Sequence, residues 1–246
     1  MLKYRGAVLS RSQEPLEQQL LATLRGPVAF AALWIDNTGF SDNDWYEFSR
    51  NYEGGAPERR IMQCMSRVPV FLKRGKMWKH DPVADPTLPA DITACYETLR
   101  LTNMYVRETM QKTKQRFADG ELDYLFFAKI DFALVRLDGL ALAVTAIVGC
   151  MLLAVSPSYR NLQQEMDEYA TDVLRLAHQL DRYRPLGACA MPLCLAVCQA
   201  TTADPQLESQ LGMILRDYMR DYPSRNSAIA FCAGVEDLRR KLKFMD

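Results

Sequence analysis

Residues 139–155 read GLALAVTAIVGCMLLAV, seventeen residues without a charge, and what surrounds that run decides the fold. A run of this length falls just short of the span needed to cross a bilayer. Upstream, Lys129, Asp131, Arg136 and Asp138 continue the same helical pattern at intervals, and neither aromatic belts nor an asymmetric basic flank frame the run. The stretch therefore reads as the central buried helix of a soluble bundle, with no stable membrane insertion expected.

Outward from this helix, apolar residues recur at three- and four-residue spacings, the signature of amphipathic helices. The pattern predicts helices at 16–35, 42–52, 57–77, 91–117, 122–155, 157–183, 186–201, 205–221 and 226–244. Ser41 precedes Asp42 and Asp44, which places acid where a helix N-terminus favours it. Ser156-Pro157 and Asp204-Pro205 put proline in a first turn. Gly54-Gly55, Asp119-Gly120 and Tyr222-Pro223 mark stops. The interval 79–90, KHDPVADPTLPA, is the loop-rich one; it runs over a surface or hinges two subdomains. Alternating strand patterns and fixed-period repeats are not visible. The expectation is an all-α fold: one domain over 1–246, a single multi-helix bundle of about nine helices around a buried central helix.

Thirty basic residues balance thirty acidic ones. A protein that lives on phosphate contacts carries a basic excess or stripe, so no nucleic-acid partner is expected. Lys73-Arg74-Gly75-Lys76 with Lys79 reads as a solvated helix end. Seven cysteines without a signal peptide imply a reducing compartment, hence a cytoplasmic protein with unpaired thiols. Cys189, Cys194 and Cys198 share a helix face but lack a C-x-x-C pair and nearby histidines, so they read as small apolar core residues.

Nucleotide-cradling glycine motifs are missing, as is an aspartate-rich diphosphate motif. The two histidines, His80 and His178, lie far apart, which makes a hydrolase triad or a metal site hard to build. The acids Glu165, Asp167 and Glu168 sit near a helix start, where the dipole explains them. Neither a cofactor nor a metal is expected.

Lys129, in LFFAKIDFAL, and Arg136, in ALVRLDGL, are flanked by large apolar residues and should pair, snorkel or face a polar cavity. Either they form a polar stripe, with Asp131 and Asp138 on another face, or they belong to a pocket with a few convergent polar groups. Trp34, Tyr46, Trp78, Tyr96, Tyr105 and Tyr124 fall on otherwise apolar faces, where tyrosine hydroxyls serve as donors or the rings simply fill the core.

The segment LLATLRGPVAFAALWIDNTGFSDNDWYEF resembles fungal zinc-cluster (Zn2Cys6) transcription regulators, in which a leucine-rich helix with an L-R pair leads to a loop ending in phenylalanine and an acidic-tryptophan segment; the match falls on Leu24, Arg25, Phe40 and Trp45. Tyr4, Arg5, Gly6 and Ala7 look like that family's R-G-A segment. ACYETLRLTNMYV, DVLRLAHQL and PLGACAMPLCLAVCQATTADPQL, with Pro192 and Asp204-Pro205, are similar to its later helices. The six-cysteine cluster of those regulators is missing. The resemblance implies the C-terminal helical regulatory region, which senses small molecules or holds partners.

Two functions follow as expectations. The first is a cofactor-free enzyme of a fungal natural-product pathway, a cyclase or pericyclase catalysing a Diels–Alder-type cycloaddition or an isomerisation of a small apolar substrate. Such a step needs an apolar cavity and one or two donors on an activating carbonyl. Candidate donors are Lys129, Arg136, Tyr105, Tyr124 and His178, with Asp131 orienting one of them. The second is a DNA-binding-deficient co-regulator acting through a sensed metabolite, a homodimer or a regulator partner.

Overall fold

The computed structural model describes residues 28–30, 32–34, 40–50, 55–156, 159, 161–185, 187–221 and 225–244, with side chains at 48–50 and 225–233 excepted. The predicted helix over 16–35 falls mostly outside these residues. So do Tyr4, Arg5, Gly6, Ala7, Leu24, Arg25, Gly54, Pro157, Tyr222 and Pro223. Among the described residues there is no strand; besides the helical residues 28–30 and 32–34 there are eight α-helices and one 3₁₀ turn: α1 (Asp42–Arg50), α2 (Ala56–His80), α3 (Leu88–Ala118), α4 (Tyr124–Val155), α5 (Leu162–Leu180), the 3₁₀ turn Asp181–Tyr183, α6 (Met191–Thr201), α7 (Pro205–Met219) and α8 (Arg225–Leu242).

The all-α bundle around a central helix is what the structure has. Every residue from Ala141 to Leu152 is buried on α4, because α2, α3, α5, α6 and α8 all pack against it. A helix enclosed on every side has no polar face to keep, which is why this run lost its charges. The membrane-like hydropathy of α4 is thus the signature of a core: 83% of its most apolar window lies inside the bundle.

Local chemistry places the ends. Ser41 and Asp44 cap α1 reciprocally: the Ser41 amide donates to the Asp44 carboxylate at 2.8 Å and the Asp44 amide donates to Ser41 Oγ at 3.2 Å. Asp123 caps α4 by accepting from the Phe126 amide at 2.9 Å, and Asp204 caps α7 through the Gln206 amide at 2.8 Å. Gly120, at φ +76°, ends α3 in the left-handed region that glycine enters without penalty. The proline-rich interval is shorter than the sequence implies, because Pro89 sits in the first turn of α3 and leaves only residues 81–87 between helices. Arg74 clamps this turn, donating to Asp85 at 2.7 and 2.9 Å, to Asp91 at 2.7 Å and to Thr87 at 2.9 Å. Arg74 holds the Asp85 carboxyl down at about 2. The basic stretch at 73–79 is therefore not wholly solvated: Arg74 is a clamp, and Gly75 is buried against the Phe244 ring.

Two boundaries differ from expectation. The helix predicted over 186–201 begins at Met191, after a turn in which the Gly187 amide donates to the Tyr183 carbonyl at 2.9 Å; Pro185 interrupts the helical hydrogen bonding before it. The helix predicted over 157–183 starts at Leu162 and tightens to 3₁₀ at Asp181.

Candidate ligand cleft

The polar side chains buried between helices form a seam. On α3, Tyr96 and Asn103 lie one heptad apart, with Arg107 one turn further on; Asp138 and Thr145 repeat the heptad spacing on α4, and Glu165 and Asp172 on α5. A heptad keeps a stripe facing its neighbour as helices wind around each other. Tyr96 donates to Glu165 Oε2 at 2.7 Å. Asn103 Nδ2 donates to Thr145 Oγ1 at 2.9 Å, and the Thr145 hydroxyl donates to the Ala141 carbonyl at 2.7 Å. Arg107 bonds Asp172 closely and reaches Asp138 at 3.5 Å; Arg175 donates to the other oxygen of Asp172 at 3.1 Å. Only 2% of the Asp138 side chain is exposed. Burial pushes its carboxyl above the usual range while Arg107 pulls the other way. Apart from the Asn103 side-chain oxygen, which is buried without a hydrogen-bond partner among the described residues, these groups satisfy one another across α3, α4 and α5. They leave little capacity for a substrate.

At one end of the seam the helices part into an open cleft of about 380 Å³, lined by Lys114 of α3, Asp131, Phe132 and Val135 of α4, and His178, Gln179, Leu180, Arg182 and Tyr183 of α5 and the 3₁₀ turn. The volume lies within the range of small-molecule sites. Its apolar surface comes from buried Val135 and Leu180 and from the rings of Phe132 and Tyr183, which meet edge to face with centroids 4.9 Å apart. The Arg182 guanidinium lies 4.7 Å from the Tyr183 ring centre. Among the described residues, Lys114, Asp131 and His178 have no hydrogen-bond or ion-pair partner within the chain. A shallower apolar groove lined by Thr171, Leu174 and Arg175 shares His178 and Gln179 with the cleft.

The wall at Tyr183 is braced from behind. Arg184 donates to Asp221 at 2.6 and 3.0 Å, to Asp217 at 2.6 Å and to Asp181 at 2.9 Å. Its guanidinium stacks 4.4 Å from the Tyr218 ring, whose hydroxyl donates to the Ala177 carbonyl at 2.6 Å. The carboxylates around Arg184 raise its pKa further, so the brace keeps its charge. A second open cleft, of about 440 Å³, lies between α1, α2 and α3; its Arg74 is already spent on Asp85 and Asp91.

Of the six candidate residues, the structure brings Asp131 and His178 to one cleft and leaves the rest apart. Lys129 and Arg136 are exposed on α4, not held in the core, because the half of that helix before Asp138 lies at the edge of the bundle. The buried charge of α4 is Asp138. Tyr105 (54% exposed) and Tyr124 (70% exposed) stand on the surface, as does Tyr46; Tyr96 is the buried one. Of the cysteine cluster, Cys194 and Cys198 are buried in α6, whereas Cys189 is exposed before the helix begins. Glu165 and Asp167 do more than complement a dipole: Glu165 accepts from Tyr96, and Asp167 accepts from Thr202 Oγ1 at 2.6 Å and from the Ala203 amide at 3.0 Å, fastening α5 to the turn before α7. Lys114 and Arg182 were not among the candidates, since each reads as an ordinary charge on a solvated face. Phe40 and Trp45, where the family resemblance falls on described residues, pack with ring centroids 4.9 Å apart.

No protein-family model, curated protein or solved structure matches this chain.

Proposed function

We propose that the chain is a small-molecule-binding helical module, a metabolite sensor of the kind the resemblance to zinc-cluster regulators implies, with its ligand in the cleft between α3, α4 and α5. The observation that carries this reading is the trio Lys114, Asp131 and His178: polar side chains around an apolar floor, without partners in the chain among the described residues, next to a seam whose charges are paired. Unspent polar groups over aromatic rings suit a ligand that brings both halves of the interaction. Lys114 and Arg182 are donors, and His178 donates from at least one ring nitrogen. The ligand class is therefore a ring-bearing molecule with carbonyl or carboxylate oxygens. Occupancy would be passed to a protein partner through the register of α3, α4 and α5.

One observation favours a second reading. Asp131 and His178 share the cleft, which is the minimum for a cofactor-free cyclase or pericyclase that polarises a substrate carbonyl with an oriented donor. Lys129, Arg136, Tyr105 and Tyr124 take no part in it.

A single experiment separates the two. Purified full-length protein is incubated with extracts and intermediates from its own gene neighbourhood, then analysed by mass spectrometry and product NMR. A ligand retained by the wild type and lost in Lys114→Ala or His178→Ala supports the sensor. A protein-dependent isomer of unchanged mass, lost in His178→Ala, supports the cyclase. Neither ligand nor product, with intact wild-type fold, contradicts both.

A further inference from the structure

The outward face of α3 carries its own pattern. Leu101 (61% exposed), Met104 (63%) and Tyr105 (54%) stand side by side there, at the three- and four-residue spacing of an apolar seam, yet on the side of the helix away from the core. Above and below them the exposed face is polar: Glu97 and Thr98 towards the N-terminus, Glu108, Gln111 and Lys112 towards the C-terminus. Three large apolar side chains in line on a 31-residue helix make a contact strip, not the scattered exposure of ordinary surfaces.

The charges say what fits it. With two α3 helices side by side and antiparallel, a two-fold axis between Met104 and Tyr105 sets Met104 of each copy against Tyr105 of the other. It sets Leu101 against the methylenes of Glu108, Thr98 against Gln111, and Glu97 against Lys112. The acid at one end of the strip thus meets the base at the other end, twice. A parallel arrangement would put Glu97 beside Glu97 and Lys112 beside Lys112. The strip is complementary to itself only when reversed, which is the requirement of an isologous interface. The local pairs do not oppose this. Glu97 with Arg100 at 3.3 Å and Glu108 with Lys112 at 2.7 Å are exposed ion pairs that exchange partners at little cost.

We propose that the chain self-associates as an antiparallel homodimer through this face of α3, with paired Leu101, Met104 and Tyr105 at its centre and reciprocal Glu97–Lys112 ion pairs at its ends. Tyr105 is then an interface residue. A single helix pair is smaller than a standard stable interface, so a weak, concentration-dependent dimer is expected. The cleft at Lys114, Asp131 and His178 lies on other faces, and the inference does not depend on it.

Sedimentation velocity of the full chain, from micromolar to submillimolar concentration, tests the dimer. The wild type is expected to convert from monomer to dimer across that range. Glu97→Lys alone and Lys112→Glu alone are each expected to stay monomeric, with unchanged far-ultraviolet circular dichroism and melting. The double variant is expected to dimerise again, and an equimolar mixture of the two single variants to form the heterodimer. A wild type that stays monomeric throughout overturns the proposal. A dimer that ignores the single reversals overturns this interface, as does failure of the double reversal to restore it in a folded protein.

Discussion

Replacing Arg107 by methionine should cost far more than its place on a half-exposed helix face suggests. The methionine keeps most of the aliphatic stem, so the change removes the guanidinium and little packing. Asp138 then keeps a buried carboxylate without its cation, and Asp172 loses one of its two arginines. Removing one partner of a buried ion pair costs about 3–5 kcal/mol. Because 40% of the Arg107 side chain is exposed and water reaches it, the low end, about 3 kcal/mol, is expected. For a domain of this size that lowers the melting temperature by about 8 °C. Asp138→Asn removes the buried charge itself and keeps the shape, so its loss should be about 1 kcal/mol. The double variant should be little worse than Asp138→Asn alone.

The pH dependence follows with a definite sign. Asp138 titrates above its unfolded value in the folded protein, so it favours folding when protonated, and this contribution is lost as pH rises through its folded pKa. Without Arg107 that pKa climbs further. The deficit of Arg107→Met relative to wild type is therefore largest at neutral pH and shrinks as the solution is made acid. Urea denaturation at about pH 7 and pH 5 measures both points. A loss below about 1 kcal/mol, or a deficit that grows towards acid, refutes the buried-seam argument.

Three further expectations are each read from one contact. Gly75→Ala would bring a Cβ within 2.2 Å of the Phe244 ring, so it should destabilise by about 1–3 kcal/mol, and Phe244→Ala should remove most of that penalty in the double variant; thermal melts decide it. Asp167→Ala unties Thr202 and the Ala203 amide from α5 and should cost about 1–2 kcal/mol, with faster amide exchange at Ala203 than in wild type. Among the six described cysteines, Cys189 should react with a disulfide reagent in the folded protein while Cys64, Cys95, Cys150, Cys194 and Cys198 stay protected. Burial pushes the Cys150 thiol up to about 11 and that of Cys194 to about 12, so a peptide map after brief labelling should find the label at Cys189 among these six.

The bundle was legible because its signals are local. Three- and four-residue periodicity, the Ser41 and Asp204 caps, Gly120 and the charge-free run of α4 each act within a turn or two of helix, and the helices expected from residue 42 onward fall within a few residues of those the structure describes. The exceptions are the later starts at Leu162 and Met191; the second follows the turn around Asp181–Gly187, where Pro185 breaks the helical hydrogen bonding. The cleft was half legible. Asp131, beside Lys129 in an apolar stretch, and His178, a candidate donor, do line one cleft. Lys129 and Arg136 stood out for their apolar flanks and do not line it, since flanking hydrophobicity cannot tell the enclosed half of a long helix from the half at the rim. Arg107, Asp172 and Lys114 gave no local signal at all; each looks like a solvent-facing charge on its own amphipathic helix. Only the recurrence of polar residues at heptad spacing on three separate helices hinted at a shared seam.

Lys114, Asp131 and His178 make up the proposed ligand site, and the histidine ring signals report on its occupancy. The chain has two, His80 and His178, so their imidazole carbon–hydrogen NMR signals are assigned with a His80→Gln variant. Titration with ring-bearing carboxylates and ketones, and with any molecule retained from extracts, should move the His178 signals saturably and leave those of His80 in place, with Lys114→Ala weakening the response. Saturable binding of a retained molecule that leaves the His178 signals unmoved would contradict the account and put the site elsewhere on the bundle.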